Sequence, residues 1–282
     1  MKKETMEESM STFTINNINI AYEDSGNTAL DTAIVFMNGV MASMSSWKMY
    51  VEPFVQCGYR VVCHDFKGQL LSSKPEGTYT FHDHCVEAKA LYDSLNIKKV
   101  HIIGTSYGSE VGMVYAMTYP ESVLSLTVID GVSEIDEVLR RFVESWKVMC
   151  LSKDGEAFFR GMLPSVYGES YLSKNKDALN ARAKAIPSLG NDYLKGQISL
   201  YDTFLQEVNF THRLHEIKCP TLIICGEDDL LKRPKFSRII YNHIQQSEFI
   251  LLPDCGHVTI FEQVETLKTC LMGFILKQDR KG

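Results

Sequence analysis

Val100-His101-Ile102-Ile103-Gly104-Thr105-Ser106-Tyr107-Gly108-Ser109 decides how this chain of 282 residues is read. Its apolar first half reads as a buried strand that runs into a sharp turn, with a serine at the tip and a helix behind it. In that setting G-x-S-x-G is a nucleophile elbow, a turn that holds a serine oxygen above the edge of a parallel sheet. A serine there takes a strained backbone conformation, so the residues two before and two after it must be small. Gly104 and Gly108 meet that demand, and Ser109 is small as well. Gly108, Gly112 and Ala116 then recur every fourth residue, a stripe along which the helix can approach the sheet. The helix should run to Tyr119 and stop at Pro120.

Strand and helix patterns alternate on both sides of this turn. Residues 12–23 alternate polar and apolar, as an exposed antiparallel hairpin at a sheet edge does. Ala33-Ile34-Val35-Phe36-Met37 and Tyr59-Arg60-Val61-Val62-Cys63-His64 are short runs typical of strands covered on both faces. Residues 46–57 and 81–95 read as helices, and 123–129 as the strand after the elbow helix. Pro220-Thr221-Leu222-Ile223-Ile224-Cys225 and Glu248-Phe249-Ile250-Leu251-Leu252 are two more strands, with a helix between them and a last helix over 260–276. The alternation predicts an α/β fold with a mostly parallel sheet flanked by helices. Residues 132–216 break it. They hold helical patterns and large apolar side chains, among them Trp146, Met149, Phe158, Phe159, Met162, Tyr167, Tyr171 and Tyr193, but no convincing strand. The chain therefore divides into core (12–131), inserted helical cap (132–216) and core again (217–276).

Composition narrows the function classes. An apolar fraction of 45% and a charged fraction of 23% are ordinary for a soluble globular protein. A net charge of -6 and the lack of a basic run argue against a nucleic-acid partner. The opening Met1-Lys2-Lys3-Glu4-Thr5-Met6-Glu7-Glu8 lacks the apolar centre of a signal peptide, and no later stretch suits a membrane span. The eight cysteines are scattered through strands and helices, which suits reduced thiols in a cytoplasmic protein.

A serine hydroxyl is a poor nucleophile until a base takes its proton, and the base must itself be held by a third group. Two later strand ends supply candidates. The loop Gly226-Glu227-Asp228-Asp229 follows one strand, and Pro253-Asp254-Cys255-Gly256-His257 follows the last. Their order after the serine, acid and then histidine, is that of the nucleophile-elbow enzymes. The expected triad is Ser106, Asp229 and His257. Asp228 adjoins the chosen acid, and Asp130 stands open as an alternative at the end of the strand after the elbow. Phe81-His82-Asp83-His84-Cys85 has metal-ligand residue types, but it begins a helix and is read as structural.

On these motifs the chain resembles the α/β-hydrolase-fold serine hydrolases, of the single-domain esterase and lactonase type with a helical cap, from about residue 12 to 276. In such proteins the loop after the first central parallel strand usually reads His-Gly-x, and its third residue gives an amide to the oxyanion hole. Asn38-Gly39-Val40 occupies that place here, so the resemblance implies Val40 as one donor and Tyr107 as the other. Asn38 departs from the usual histidine. Asp65-Phe66-Lys67-Gly68-Gln69-Leu70-Leu71-Ser72 resembles the family's D-x-x-G-x-G-x-S segment, with Leu70 where a second glycine is common. Met41, Met44, Trp146, Phe159 and Met162 are the expected pocket residues.

The implied activity is hydrolysis of a carboxylic ester or lactone, with a small to medium, fairly apolar substrate and an acyl-enzyme on Ser106. No metal or organic cofactor is implied, and the molecule is expected as a monomer or homodimer. An aspartate nucleophile would mark a dehalogenase or epoxide hydrolase, and carbon–carbon bond hydrolases often carry Trp after the histidine, where Val258 stands. Thioesterase and acyltransferase activity stay open. So does a slow-turnover ligand sensor that keeps the triad and signals through its cap. The rate is expected to fall as His257 protonates, near or somewhat below ~6.5.

Overall fold

The computed structural model describes residues 10–280, so the segment 1–8 discussed above lies outside the described residues. The chain opens with the hairpin β1 (Ser11–Ile15) and β2 (Ile18–Gly26), followed by β3 (Thr32–Met37), α1 (Lys48–Gln56), β4 (Arg60–His64) and α2 (Phe81–Ser94). The elbow strand β5 (Lys99–Thr105) leads into α3 (Tyr107–Thr118) and then β6 (Val123–Ile129). Five helices come next: α4 (Glu137–Leu151), α5 (Gly155–Val166), α6 (Glu169–Lys174), α7 (Lys176–Ala185) and α8 (Gly190–Glu207). The chain returns to the sheet with β7 (Thr221–Gly226), α9 (Pro234–His243), β8 (Ser247–Leu252), α10 (Thr259–Glu262) and α11 (Val264–Asp279).

One eight-stranded sheet results, in the order β1-β2-β4-β3-β5-β6-β7-β8. β1, β2 and β4 pair antiparallel, and every neighbour from β4 to β8 pairs parallel. The pleat sorts the apolar residues into two cores. Ala33, Val35 and Met37 face one side with the residues of α2, α3 and the helices that follow β6. Ile34 and Phe36 face the other side with Trp47, Phe54, Leu267 and Leu271. A sheet covered on both faces needs the near-continuous apolar strands that the sequence shows.

Between β6 and β7 the described residues are helix and loop throughout. Two helices differ from expectation at their ends. Residues 44–47 form a 3-10 turn before α1, and the last helix breaks at Gln263, whose φ and ψ of -128° and 46° are not helical. The break follows Glu262, whose carboxylate accepts the amides of Gly256 and Val258 in the preceding loop and of Gly168 between α5 and α6.

Candidate active site

The site lies at the carboxyl end of the sheet, where the strand order reverses around β3 and β5 and a crevice must open. Ser106 caps α3 at φ 50° and ψ -117°, a left-handed conformation a serine holds only when its surroundings enforce it. The enforcement is visible in the packing. A Cβ on Gly104 would sit 2.4 Å from the Gly108 carbonyl oxygen, and one on Gly108 would sit 2.1 Å from that of Met37. Ser109 completes the turn. Its buried hydroxyl lies 2.7 and 2.8 Å from the Gly104 and Ile129 carbonyl oxygens and accepts the Ile129 amide at 3.0 Å.

His257 arrives on the loop after β8, and its amide donates to the Val166 carbonyl at 2.9 Å. Its Nε2 is 2.9 Å from Ser106 Oγ, and its Nδ1 is 2.7 Å from Asp229 Oδ2. Asp229 turns back from the loop after β7. Its other oxygen accepts the amides of Leu231 and Lys232 at 2.9 and 2.8 Å. A carboxylate at Nδ1 favours the tautomer with Nδ1 protonated, which leaves Nε2 as the acceptor facing Ser106 Oγ.

Asp130 is the second acid at this point, fully buried and clustered with Asp229 and His257. Its oxygens accept the Thr259 hydroxyl at 2.8 Å and the Gly226 amide at 3.2 Å, with no hydrogen bond to the imidazole. Burial, reinforced by the Asp229 charge, pushes its carboxyl up to about 8. Asp130 thus holds its proton more readily than an ordinary carboxyl, and Asp229 is the acid hydrogen-bonded to His257. The imidazole itself shifts upward. Burial opposes its protonation, but the charge and hydrogen bond of Asp229 outweigh that cost.

The amides of Val40 and Tyr107 both adjoin Ser106 on the same cavity, and neither is spent on another group among the described residues. Gln69, singled out in sequence only as part of the D-x-x-G-x-G-x-S-like segment, holds the geometry of this loop. Its Nε2 donates to the Gly39 carbonyl at 2.7 Å, while its Oε1 accepts from Phe66 N and Asn38 Nδ2. Asn38 fills the place of the usual histidine as a hub. It donates to His64 O and Asp65 Oδ1 and accepts Trp47 Nε1 at 2.8 Å, so the departure leaves no bond unmade. Tyr107 is braced from behind, its hydroxyl 2.9 Å from His84 Nε2. His84 and Cys85, with their metal-ligand residue types, are buried in this packing, and Thr80 caps their helix.

The cavity above Ser106 has a volume of about 890 Å³, including solvent at its mouth. Met41, Trp146, Phe159 and Met162 line it. Met44 does not. It is a correction to the sequence reading: its backbone amide is held by Asp65, and its side chain packs in the opposite core with Trp47 and Phe36. The 3-10 turn at 44–47 carries it around to that face. A further pair escaped the sequence. Lys232 Nζ and Glu110 Oε2 form a buried ion pair at 2.7 Å beside the triad. Glu110 also accepts the Val132 amide, and the Phe204 ring lies 4.8 Å from the ammonium. No spacing rule links residues 110 and 232, so only the fold reveals them.

Comparison with known proteins agrees with this architecture. A family model described as alpha/beta hydrolase fold matches residues 32–264. A protein of Serratia proteamaculans that bears the name carbamate hydrolase RutD is 26% identical over 89% of this chain and 93% of its own. The 2-hydroxy-6-oxononadienedioate/2-hydroxy-6-oxononatrienedioate hydrolase 1 of Pseudomonas putida is 25% identical over 92% of each chain. Among solved structures, the alpha/beta hydrolase MGS-M2 from a Medee basin deep-sea metagenome library superposes with a TM-score of 0.89 at 28% identity, covering 94% of this chain and 97% of that one. The chain belongs to the α/β-hydrolase-fold family and is a hydrolase of that fold.

Proposed function

We propose that the protein hydrolyses a carboxylic ester or lactone through an acyl-enzyme on Ser106, with His257 as base and Asp229 as its partner. The continuous hydrogen-bonded line from Asp229 through His257 to Ser106 carries this reading. In it, Ser106 Oγ attacks the substrate carbonyl while His257 Nε2 takes the serine proton. The amides of Val40 and Tyr107 receive the oxyanion, a donor being worth about 3 kcal/mol. Collapse expels the alcohol, which leaves with the proton from His257. Water then attacks the acyl carbonyl, His257 takes its proton, and the acid departs as Ser106 regains its own.

Residues 132–216 act as the cap, and their apolar side chains set the size of the acyl or alcohol group admitted. The same machinery can open a carbamate, and a relative bearing that name favours it as a second reading. Val258, where a tryptophan is common in carbon–carbon bond hydrolases, argues against that chemistry. The eight free cysteines, most of them away from solvent, suit a reducing cytoplasmic setting. Among the described residues no helix is long and apolar enough to cross a membrane.

The test is fluorophosphonate labelling followed by intact-protein mass spectrometry, on wild type and Ser106→Ala. One adduct on wild type and none on the variant is expected, with turnover of p-nitrophenyl esters lost alongside it. An unlabelled wild type, or slow turnover of every ester with the label intact, would transfer the assignment to a ligand sensor.

A further inference from the structure

Arg182 sits on α7, and its guanidinium reaches the same cavity as Ser106 and His257. It lies between two aromatic rings, 5.4 Å from the centroid of Phe159 and 5.6 Å from that of Phe261. Phe261 follows the catalytic histidine by four residues and Phe159 is on α5, so the cation bridges the roof and the floor of the pocket. Among the described residues it has no hydrogen-bonded or ion-paired carboxylate, although most of the chain's other buried or half-buried cations have one.

The candidates for a counter-charge are spent elsewhere. Glu262 acts on the Tyr167 and Tyr171 phenols, as Arg182 does, but its oxygens accept the amides of Gly168, Gly256 and Val258 at 3.1, 2.9 and 3.3 Å. Glu110 is fully buried and paired with Lys232, the other cation lining the pocket. One fork of donors, beside two aromatic rings, is therefore left at a largely apolar chamber. A guanidinium keeps its charge there, and its geometry matches a carboxylate's two oxygens.

Resting on the ester-hydrolase reading, we infer that Arg182 binds an anionic group of the substrate, and that the natural substrate is an ester or lactone bearing a carboxylate away from the scissile bond. The rings of Phe159 and Phe261 flank the guanidinium that meets the carboxylate. The apolar lining accommodates the carbon chain between the carboxylate and the reacting carbonyl. Arg182 acts on specificity and leaves the triad untouched.

Matched esters differing only in charge test this. Mono-4-nitrophenyl glutarate against 4-nitrophenyl pentanoate places the carboxylate on the acyl side. 4-Carboxyphenyl acetate against its methyl ester places it on the alcohol side. Wild type should prefer the anion in at least one pair, by roughly tenfold or more, the range hydrogen bonds to a charged group supply. Arg182→Gln should lose that preference through KM, with a much smaller change on the neutral esters than on the anionic ones, and Arg182→Lys should recover part of it. Equal ratios in wild type and Arg182→Gln, with neutral esters still turned over, would overturn the inference and leave the ester reading intact. Failure of every ester would strike the ester reading instead. In that event, thermal shifts of Ser106→Ala with glutarate monomethyl ester and with methyl pentanoate decide about Arg182. A larger shift with the anion, abolished by adding Arg182→Gln, supports the site; equal shifts refute it.

Discussion

The carboxyl ends of the strands and the helices between residues 132 and 216 meet at one cavity, but different forces hold them. At the strand ends each reacting group is fixed by backbone. The Ser106 amide donates to Ile129 O at 2.8 Å, Asp229 accepts two amides, and the His257 amide is tied to Val166 O. The roof offers almost no such register. Trp146, Phe159 and Met162 enter the cavity from helices whose packing is apolar, and apolar packing is non-directional. Under the proposed function, chemistry that fails with an ångström of error would be placed by hydrogen bonds, and selectivity by side-chain volume.

The largest effect should come from breaking the backbone-held half. Asp229→Asn keeps the shape but favours the wrong imidazole tautomer, and kcat should drop by roughly 10⁴-fold. Asp130→Asn can still accept the Gly226 amide at its oxygen and donate from its Nδ2 to the Thr259 hydroxyl oxygen, and should cost less than tenfold. Phe159→Ala, in the roof, should widen the acyl-chain range while fluorophosphonate labelling persists. Steady-state kinetics on a chain-length series of esters separates the three, and an Asp130→Asn loss as deep as that of Asp229→Asn would exchange their roles.

Next in size is the seam between the halves. The Glu110–Lys232 pair joins α3 to the acid loop and touches the cap at Val132 and Phe204. Removing one partner strands a buried charge, so Lys232→Met or Glu110→Gln alone should cost about 3–5 kcal/mol. The double variant should recover much of that, since well-packed neutral residues replace a buried pair with little loss. Urea denaturation of the four proteins gives the coupling, and additive losses would show the pair to be energetically independent.

The smallest effects are in pH. The raised His257 puts the acid limb of kcat/KM above 6.5, because only the neutral imidazole takes the serine proton. In the folded protein its protonated form is favoured, so this pair adds stability below 6.5 and loses it as pH rises through the raised value. Asp130 acts in the same direction. It ionises near its ordinary 3.8 in the unfolded chain and at about 8 when folded, so stability falls as pH climbs between them. Tm of Asp130→Asn relative to wild type should therefore improve from pH 4 to pH 8. A difference that stays constant over that range would mean that Asp130 is ionised in the fold.

Most of the frame could be read from local pattern. The apolar runs placed the strands within a residue or two, because a strand buried on both faces has no polar alternation to blur its ends. The elbow was legible from Gly104, Ser106, Gly108 and Ser109, since a strained turn restricts which residues fit beside it. Met44 went astray because distance along the chain from Val40 says nothing about which face a 3-10 turn presents. The break at Gln263 was invisible because Glu262 bonds across to a loop and not along its own helix.

By itself, then, the sequence determined the α/β order, the serine at the turn and the loops that bring histidine and acid to it, all consequences of interactions within a few residues. Only the tertiary structure set Asp229 rather than Asp130 against the imidazole, revealed the Glu110–Lys232 pair, and left Arg182 beside two rings without a counter-charge. Each of these depends on burial and on distances between segments far apart in the chain, and both electrostatic cost and hydrogen-bond geometry are set by three-dimensional surroundings that no local pattern encodes.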